Sequence, residues 1–147
     1  MPFPRLALYS QGETLHVAIW PGAVHNTHKI TRFIAAEGRS YVLSVSATFR
    51  KEDVPTTFPH YDLFVNSLRT NEKGFVVNGG SCIAGPDGKW VIPPVVDEEK
   101  LIIATLDHNR VLEERQNFDP VGHYSRPDVF KMTYNTERQA IVVKAKL

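Results

Sequence analysis

The only cysteine of the chain, Cys82, is the residue whose chemistry raises the first functional question. It lies in the stretch NGGSCIAGPDG at residues 78–88. A cysteine nucleophile needs a lowered pKa, from a helix N-terminus or a neighbouring cation, together with an adjacent base and oxyanion donors. The residues around Cys82 indicate instead a strand before a tight turn, and no histidine is near in sequence. Because buried, inert cysteine is a common core residue, we expect Cys82 to be structural and assign no catalytic residue to this chain.

Two histidines, His25 and His28, stand three residues apart at the start of a predicted helix. A zinc site would need a third or fourth Cys, His or carboxylate at a suitable spacing, and the sequence offers none. We therefore interpret the two as a solvated loop pair. The sequence predicts neither a metal site nor another cofactor.

Two glutamates could serve as general bases, but their positions favour other roles. Glu13 follows a turn and Glu37 ends a predicted helix. Charged residues at such places are usually solvated or capping. We expect both to be solvated or capping residues.

Residues at strand ends and in the late loop are the remaining candidates. Trp20 and Pro21 end the first predicted strand, and ligands of α/β sheets bind beyond the strand ends. A pocket rim and a core position are both open for Trp20. Near the C-terminus, GHYSRPDVF at residues 122–130 contains His123, Tyr124, Arg126 and Asp128. A functional loop is one interpretation of this segment; we favour an Arg126–Asp128 pair that holds the tail in place.

Apolar periodicity and turn residues predict an α/β fold. The first unit is a strand over residues 14–20, a helix over 27–37 capped by Asn26 or Thr27 and closed by Gly38, and a strand over 40–49. Strand, helix and strand with short connections favour a parallel or mixed sheet with a crossover helix. Further along, the pattern predicts a short helix at 60–69, a hairpin of SCIA and KWVIPPV around residues 85–88, a strand at 100–107, a helix at 108–116 capped by Asp107, and a strand-like end at 139–147.

Composition limits the classes of protein to consider. A chain of 147 residues with 42% hydrophobic and 22% charged residues is typical of one globular domain. Its 17 basic and 16 acidic residues are spread along the chain, which argues against nucleic acid and membrane surfaces as partners. Apolar runs such as LIIATL are far shorter than the roughly 18 residues that span a bilayer. A single cysteine and no leader pattern indicate a cytoplasmic protein.

The order of four motifs resembles the nitrilase branch of the carbon-nitrogen hydrolase family. The motifs are ALYSQGETLHVAIWPG, ITRFIAAEGRSYVLSVS, GGSCIAGPDGKWV and KLIIATLDHNRVLEERQNFDPVGHYSRPDVF, which cover nearly the whole chain. The resemblance implies a four-layer αββα sandwich in which a Glu base, a Lys and a Cys nucleophile hydrolyse nitriles or amides through a covalent thioimidate or acyl-enzyme. It also implies a homo-oligomer, and it places Trp20, Pro21 and His123 at the rim of the pocket for a small nitrile or amide.

The resemblance also implies that the catalytic set lies outside this chain. In relatives the nucleophile precedes the segment that matches residues 1–5, in a Cys-Trp-Glu context, and the Glu and Lys come earlier. We therefore expect residues 1–147 to be a single partial domain, the C-terminal half of a nitrilase, inactive alone and with sheet edges and an apolar sheet face left open. The alternative is a non-catalytic fragment or pseudoenzyme that serves as an interaction or oligomerisation module.

Overall fold

The computed structural model describes residues 2–140 and shows a five-stranded sheet with four α-helices in that part of the chain. The helices are α1 (Pro2–Tyr9), α2 (Val24–Gly38), α3 (Tyr61–Ser67) and α4 (Asn109–Asn117). The strands are β1 (Leu15–Trp20), β2 (Tyr41–Ser46), β3 (Thr48–Arg50), β4 (Phe75–Ala84) and β5 (Trp90–Val96), with a 3-10 turn at Lys51–Asp53. Within these residues, no helix combines the length and the apolarity needed to cross a bilayer.

The sheet is mixed. Its strand order is β1-β2-β4-β3, and β5 pairs with β4. Strands β1 and β2 are parallel along their whole length, from Leu15 opposite Tyr41 to Trp20 opposite Ser46, and α2 connects them. β4 runs antiparallel to β2, β3 and β5. The predicted α/β class, the parallel pair with its crossover helix and the β4–β5 hairpin are therefore confirmed.

Helix α2 covers one face of the sheet and forms the main core with it. Five residues make up the buried cluster: Ala18, Ile34, Ala35, Val42 and Ala84. The side chains of Trp20, Ile30 and Trp90 pack against this cluster from its margins. Because side chains alternate along a strand, even-numbered residues of β1 and β2 point towards α2 and the odd-numbered residues point away.

The opposite face of the sheet is open at β1 and β2. Leu15 is 47% exposed, Val17 58%, Ile19 81% and Val45 52%. The structure thus shows a sheet with one helix-covered face and one apolar face partly open to solvent. The described residues form one sheet, and the four-layer sandwich stays a prediction.

Helix α1 was not among the elements predicted from the sequence. Pro2 and Pro4 lie in its first turn, where backbone N–H groups have no intrahelical acceptor and proline is well tolerated. The helix is anchored by Tyr9, which is 3% exposed and packs against Gly38 of α2. A Cβ atom on Gly38 would lie 2.5 Å from the Tyr9 ring, so this glycine is required for close helix approach.

The predicted ends of α2 were wrong. The helix begins at Val24 after Ala23, so Asn26 and Thr27 lie inside it, and their side chains donate back to the Gly22 and Val24 carbonyls. At the other end Gly38 is helical, and the left-handed residue is Arg39 with φ of 47°. Packing against α1, rather than backbone conformation, therefore accounts for the glycine at position 38.

Other boundaries also differ from the sequence pattern. The predicted strand at 40–49 is divided into β2 and β3 at Ala47, and β4 begins at Phe75 rather than near Ser81. The predicted helix at 60–69 is confirmed as the shorter α3. The predicted strand at 100–107 is wrong, because this segment joins no strand ladder.

Of the two elements predicted after residue 107, the helix is confirmed. Helix α4 follows Asp107, whose Oδ1 atom accepts a hydrogen bond from the Asn109 backbone N–H at 3.0 Å. Asp107 therefore supplies the predicted capping bond, although the residue directly before the helix is His108. The predicted strand at 139–147 lies, from residue 141 onwards, outside the described residues.

Candidate functional site at the ends of the parallel strands

The parallel strands β1 and β2 end side by side, at Trp20 and Ser46. The Ser46 hydroxyl donates to the Gly79 carbonyl at 2.6 Å, and the Ser46 backbone N–H donates to the Ser81 hydroxyl at 2.9 Å. Ser81 in turn donates to the Ser46 carbonyl. These bonds hold the end of β2 against β4 at residues 79–81, where the pairing of β4 with β5 on its other side shifts register. Bulges of this kind are common beside binding sites because they redirect side chains.

The turn from β1 into α2 closely approaches β4. Gly22 has φ of 134°, and a Cβ atom there would lie 1.8 Å from a Val77 methyl carbon. Ala23 has φ of 70°, an uncommon conformation for a residue with a side chain. The Val24 backbone N–H donates to Asn78 Oδ1 at 3.4 Å. The turn that follows Pro21 is therefore fixed by packing and hydrogen bonding on its β4 side.

Trp20 points towards α2 and is half-buried. Its indole N–H donates to the Ser44 hydroxyl at 3.2 Å, and its ring packs against the core cluster. The same ring lines a cavity of about 570 Å³. The cavity walls are Arg5, His16, Ala18, Ile19, Trp20, His25, Asn26, Ile30 and Ile34. Trp20 thus has a core position and a cavity-facing surface, and the two interpretations of its sequence position are compatible.

Cys82 lies in the core between β4 and α2, and its side chain is 1% exposed. The thiol donates to Thr31 Oγ1 at 3.6 Å, and the Thr31 and Ser44 hydroxyl oxygens are 2.6 Å apart. Burial raises the pKa of the Cys82 thiol, and hydrogen bonding with Thr31, Thr27 and Ser44 offsets the rise only in part. A thiol with a raised pKa is a poor nucleophile. The structure therefore places Cys82 where the sequence indicated, and its dispensability for chemistry stays a prediction.

The expected solvated or capping roles of the two glutamates were wrong. Glu13 Oε1 lies 2.6 Å from His16 Nδ1, and these side chains are only 12% and 13% exposed. Glu37 Oε2 accepts hydrogen bonds from Arg5 Nε and from the Tyr9 hydroxyl, each at 2.9 Å. Both carboxylates therefore have specific partners, and Glu37 joins α1 to α2.

Comparison with known proteins identifies the relatives of this chain. It is 32% identical over 143 residues to an aliphatic nitrilase from Sinorhizobium fredii, across 97% of this chain and 44% of that protein. It is 38% identical over 136 residues to nitrilase 2 from Arabidopsis thaliana, across 92% of this chain and 40% of that protein. The chain is therefore a relative of nitrilases over nearly its whole length. It spans about two fifths of the length of these relatives. No protein-family model matches it.

The histidines of this nitrilase-related chain lie in different surroundings. The His28 ring is 5.7 Å from the Trp90 ring, whereas His25 lines the cavity beside Trp20. Within residues 2–140, no group of three or more His, Cys, Asp or Glu side chains could hold a metal ion. His123 is exposed, and its ring centre lies 4.8 Å from that of Tyr124 with the two planes tilted by 55°. It is absent from the cavity that Trp20 lines.

The late polar segment contains the predicted ion pair. The guanidinium of Arg126 donates two hydrogen bonds to the Asp128 carboxylate, at 2.8 and 2.7 Å. These bonds raise the pKa of Arg126 and lower the pKa of Asp128. Because both side chains are exposed, the pair is confirmed as a local contact but contributes little to stability.

Two features of the candidate site were missed in the sequence. One is the bonding of Ser46 to Ser81 and Gly79, and the other is the contact of Asn78 with the turn into α2. Polar residues at strand ends and the Gly79–Gly80 pair were visible signals for a bulge. Their partners were not visible, because the bonded residues are 33 to 54 positions apart.

Proposed function

We propose that this chain forms the C-terminal half of a nitrilase domain that hydrolyses nitriles to carboxylic acids and ammonia. The observation that carries the proposal is its relation to nitrilases over almost its whole length. The relatives bear names such as aliphatic nitrilase and arylacetonitrilase. A small nitrile or amide is therefore the proposed substrate of the complete domain.

In this proposal the nucleophilic Cys, the Glu base and the Lys come from the other half of the domain. The surroundings of Cys82 support this, since a buried thiol with a raised pKa is unsuited to attack a nitrile carbon. No cofactor is required, because covalent catalysis by a thiol needs only a base and groups that stabilise the developing charge. Residues 1–147 alone are then inactive.

The architecture of the complete domain is proposed to be the four-layer αββα sandwich. Helix α2 would be one outer layer and the sheet of this chain one inner layer. The open apolar face with Val17, Ile19 and Val45 supports this arrangement, because such a face is normally buried against another layer. The second sheet and the second outer helices would come from the other half.

We further propose that Trp20, Pro21 and His123 contribute to the rim of the substrate pocket. Support for the first two comes from their place at the ends of the parallel strands, where α/β sheets bind ligands. For His123 the support is its exposed ring in a polar loop. In this scheme the hydrogen bond from the Trp20 indole to Ser44 fixes the orientation of the ring.

The direct test measures ammonia release. The purified chain is incubated with aliphatic and aromatic nitriles, alone and after co-expression with the N-terminal half of a nitrilase that ends after its Cys-Trp-Glu motif. We expect turnover only in the co-expressed pair, and none when the nucleophilic Cys of that half is replaced by Ala. Turnover by the chain alone, above a heat-inactivated control, would show that the assignment of the catalytic set is wrong.

A non-catalytic interaction module is the second candidate function. It is favoured by a cavity of about 570 Å³ between α1 and the tail, whose lining includes Leu6, Tyr124, Phe130 and Tyr134. Phe130 is 81% exposed and Tyr124 59% exposed. Sequencing the DNA upstream of Met1 separates the candidates: an in-frame Cys-Trp-Glu motif supports the hydrolase, and its absence supports the module.

A further inference from the structure

Hydroxyl side chains lie buried between α2 and the sheet, next to the apolar core cluster. Thr31 of α2 is 0% exposed and Ser44 of β2 is 2% exposed. A buried hydroxyl destabilises a fold unless it has a hydrogen-bond partner. Across the sheet, Ser44 is opposite the small residues Ala18 on β1 and Cys82 on β4. Because small apolar residues suit this row, the hydroxyl at position 44 indicates a role in hydrogen bonding rather than in filling space.

The Ser44 hydroxyl joins α2 to the tryptophan at the end of β1. Its oxygen accepts the hydrogen bond from Trp20 Nε1 at 3.2 Å, since an indole nitrogen can only donate. The same oxygen lies 2.6 Å from Thr31 Oγ1. A continuous chain of hydrogen bonds therefore runs from α2 through Thr31 and Ser44 to the Trp20 ring.

The helix end of this chain of bonds is rigid, whereas the ring is only partly held by packing. Thr31 lies inside α2, and its branched Cβ leaves it few rotamers. The Cys82 thiol donates to the same Thr31 oxygen at 3.6 Å and supports it from β4. Trp20 is half-buried, with the core cluster on one side of its ring. The bond to Ser44 is thus the directional restraint on the indole.

We propose that Ser44, held by Thr31, is a positioning residue for Trp20 and, through it, for the substrate at the rim of the pocket. The inference rests on the proposed function, because it takes Trp20 as a rim residue of a nitrilase pocket. Ser44 touches no substrate in this scheme and acts only through the ring. Without the hydroxyl, the indole N–H loses its acceptor, and the ring turns until the N–H meets another acceptor or water.

A ring that only contacts the bound substrate contributes equally to the binding of the ground state and of the transition state. Loss of such a contact raises KM and leaves kcat nearly unchanged, whereas loss of a group that takes part in the reaction lowers kcat. A misplaced Trp20 should therefore appear in KM. This difference separates the positioning role of Ser44 from a catalytic one.

The first test observes the Trp20 indole N–H of the full chain by ¹H–¹⁵N NMR. The chain has two tryptophans, so the spectrum of Trp90→Phe identifies the Trp20 signal. In Ser44→Ala we expect this signal to shift and its exchange with solvent to become about tenfold faster or more, because the N–H loses a buried acceptor. Ser46→Ala is the matched control and should leave the signal unchanged, since this buried serine of the same strand bonds the Gly79 carbonyl instead.

Two substitutions of Thr31 test the support from α2. Thr31→Val keeps the shape of the side chain but removes the hydroxyl, so exchange of the Trp20 indole N–H should become faster, by less than in Ser44→Ala. Thr31→Ser keeps the hydroxyl and should retain the wild-type exchange rate. Circular dichroism of each variant verifies that it is folded. If Ser44→Ala does not fold, the comparison of the two Thr31 variants decides.

The second test measures nitrile hydrolysis by the chain co-expressed with the N-terminal half of a nitrilase. Ser44→Ala should raise KM about fivefold or more and leave kcat within about twofold of the wild type. Thr31→Ser should keep both constants. An inactive wild-type pair would contradict the proposed function, and the indole measurements would then decide alone whether Ser44 positions Trp20.

The proposal is overturned if the Trp20 signal of Ser44→Ala keeps the wild-type shift and exchange rate. It is also overturned if the wild-type indole N–H already exchanges as fast as free indole, because no bond to Ser44 then holds it. In an active pair, an unchanged KM in Ser44→Ala, with or without a lower kcat, would exclude positioning of the substrate through Trp20.

Discussion

Replacement of Cys82 by Ala tests the assignment of this thiol to the core. The substitution removes one buried sulfur atom and leaves a small cavity between β4 and α2. The hydrogen bond from the thiol to Thr31 is long, at 3.6 Å, and Thr31 keeps Ser44 as a partner at 2.6 Å. Because no buried polar group loses its only partner, the loss is mainly that of packing. We expect the free energy of unfolding to fall by about 1 kcal/mol.

The assay is equilibrium unfolding in urea at neutral pH, with thermal unfolding as a second probe. A loss of about 1 kcal/mol lowers the melting temperature by roughly 2–4 °C in a chain of this size. Ser67→Ala is the control, because its hydroxyl bonds only the Phe64 carbonyl at an exposed helix end. In wild-type protein, the Cys82 thiol should react with a thiol reagent only after unfolding, since burial both shields it and raises its pKa.

Two results would refute this reasoning. A loss above about 3 kcal/mol would mean that the sulfur supports the Thr31–Ser44 pair rather than only filling space. Complete loss of nitrile hydrolysis in the co-expressed pair, with unchanged urea unfolding, would mean that Cys82 takes part in the reaction. Rapid labelling of the native thiol would contradict its burial.

Three further predictions concern helix contacts. Burial, with hydrogen bonding to Glu37, raises the pKa of Tyr9 above its ordinary value of 10.0. The contribution of Tyr9 to stability should therefore be fully present below about pH 10 and be lost as the pH rises above it, and Tyr9→Phe should flatten this fall in urea unfolding measured against pH. Gly80 has φ of 106°, and the Cβ atom of Gly80→Ala would lie 2.8 Å from the backbone of α2, so this change should lower the free energy of unfolding by at least about 2 kcal/mol. Gly74→Ala is the control and should lower it less, because Gly74 has φ of 82° but no atom within 4 Å of the added Cβ. Equal losses in the two variants would exclude the steric cause. Asp107→Ala removes the capping bond to α4 and should lower the free energy of unfolding by about 1 kcal/mol, measured by thermal unfolding. An unchanged melting temperature would contradict the capping role of Asp107.

Agreement between sequence and structure is closest where a few neighbouring residues decide the outcome. Apolar periodicity and the positions of glycine and proline were enough to predict three elements, which are β1, α2 and the turn at residues 85–88. The order of the four motifs also indicated the nitrilase relationship that the comparisons show. The capping bond of Asp107 was predictable for the same reason, since its partner is two residues away.

The candidate site was less predictable. Because the first predicted strand ends at Trp20, the sequence was enough to place this residue at the carboxyl end of one of the two parallel strands, β1 and β2. Its bond to Ser44 and its position against α2 depend on a residue 24 positions away. His123 was grouped with Trp20 only through the family resemblance, and the cavity that Trp20 lines does not include it.

By itself, the sequence determined the class of fold, most of the local elements and the relationship to nitrilases, because these depend on the type and spacing of nearby residues. Only the tertiary structure showed that residues 100–107 join no ladder, that Gly38 makes room for Tyr9, and that Glu37 bonds residues 28 and 32 positions away. The physical reason is that strand pairing, close packing and partly buried ion pairs are settled by groups that meet only when the chain has folded. The same holds for the open sheet face, since alternation predicts which side chains share a face but only packing decides which face is covered.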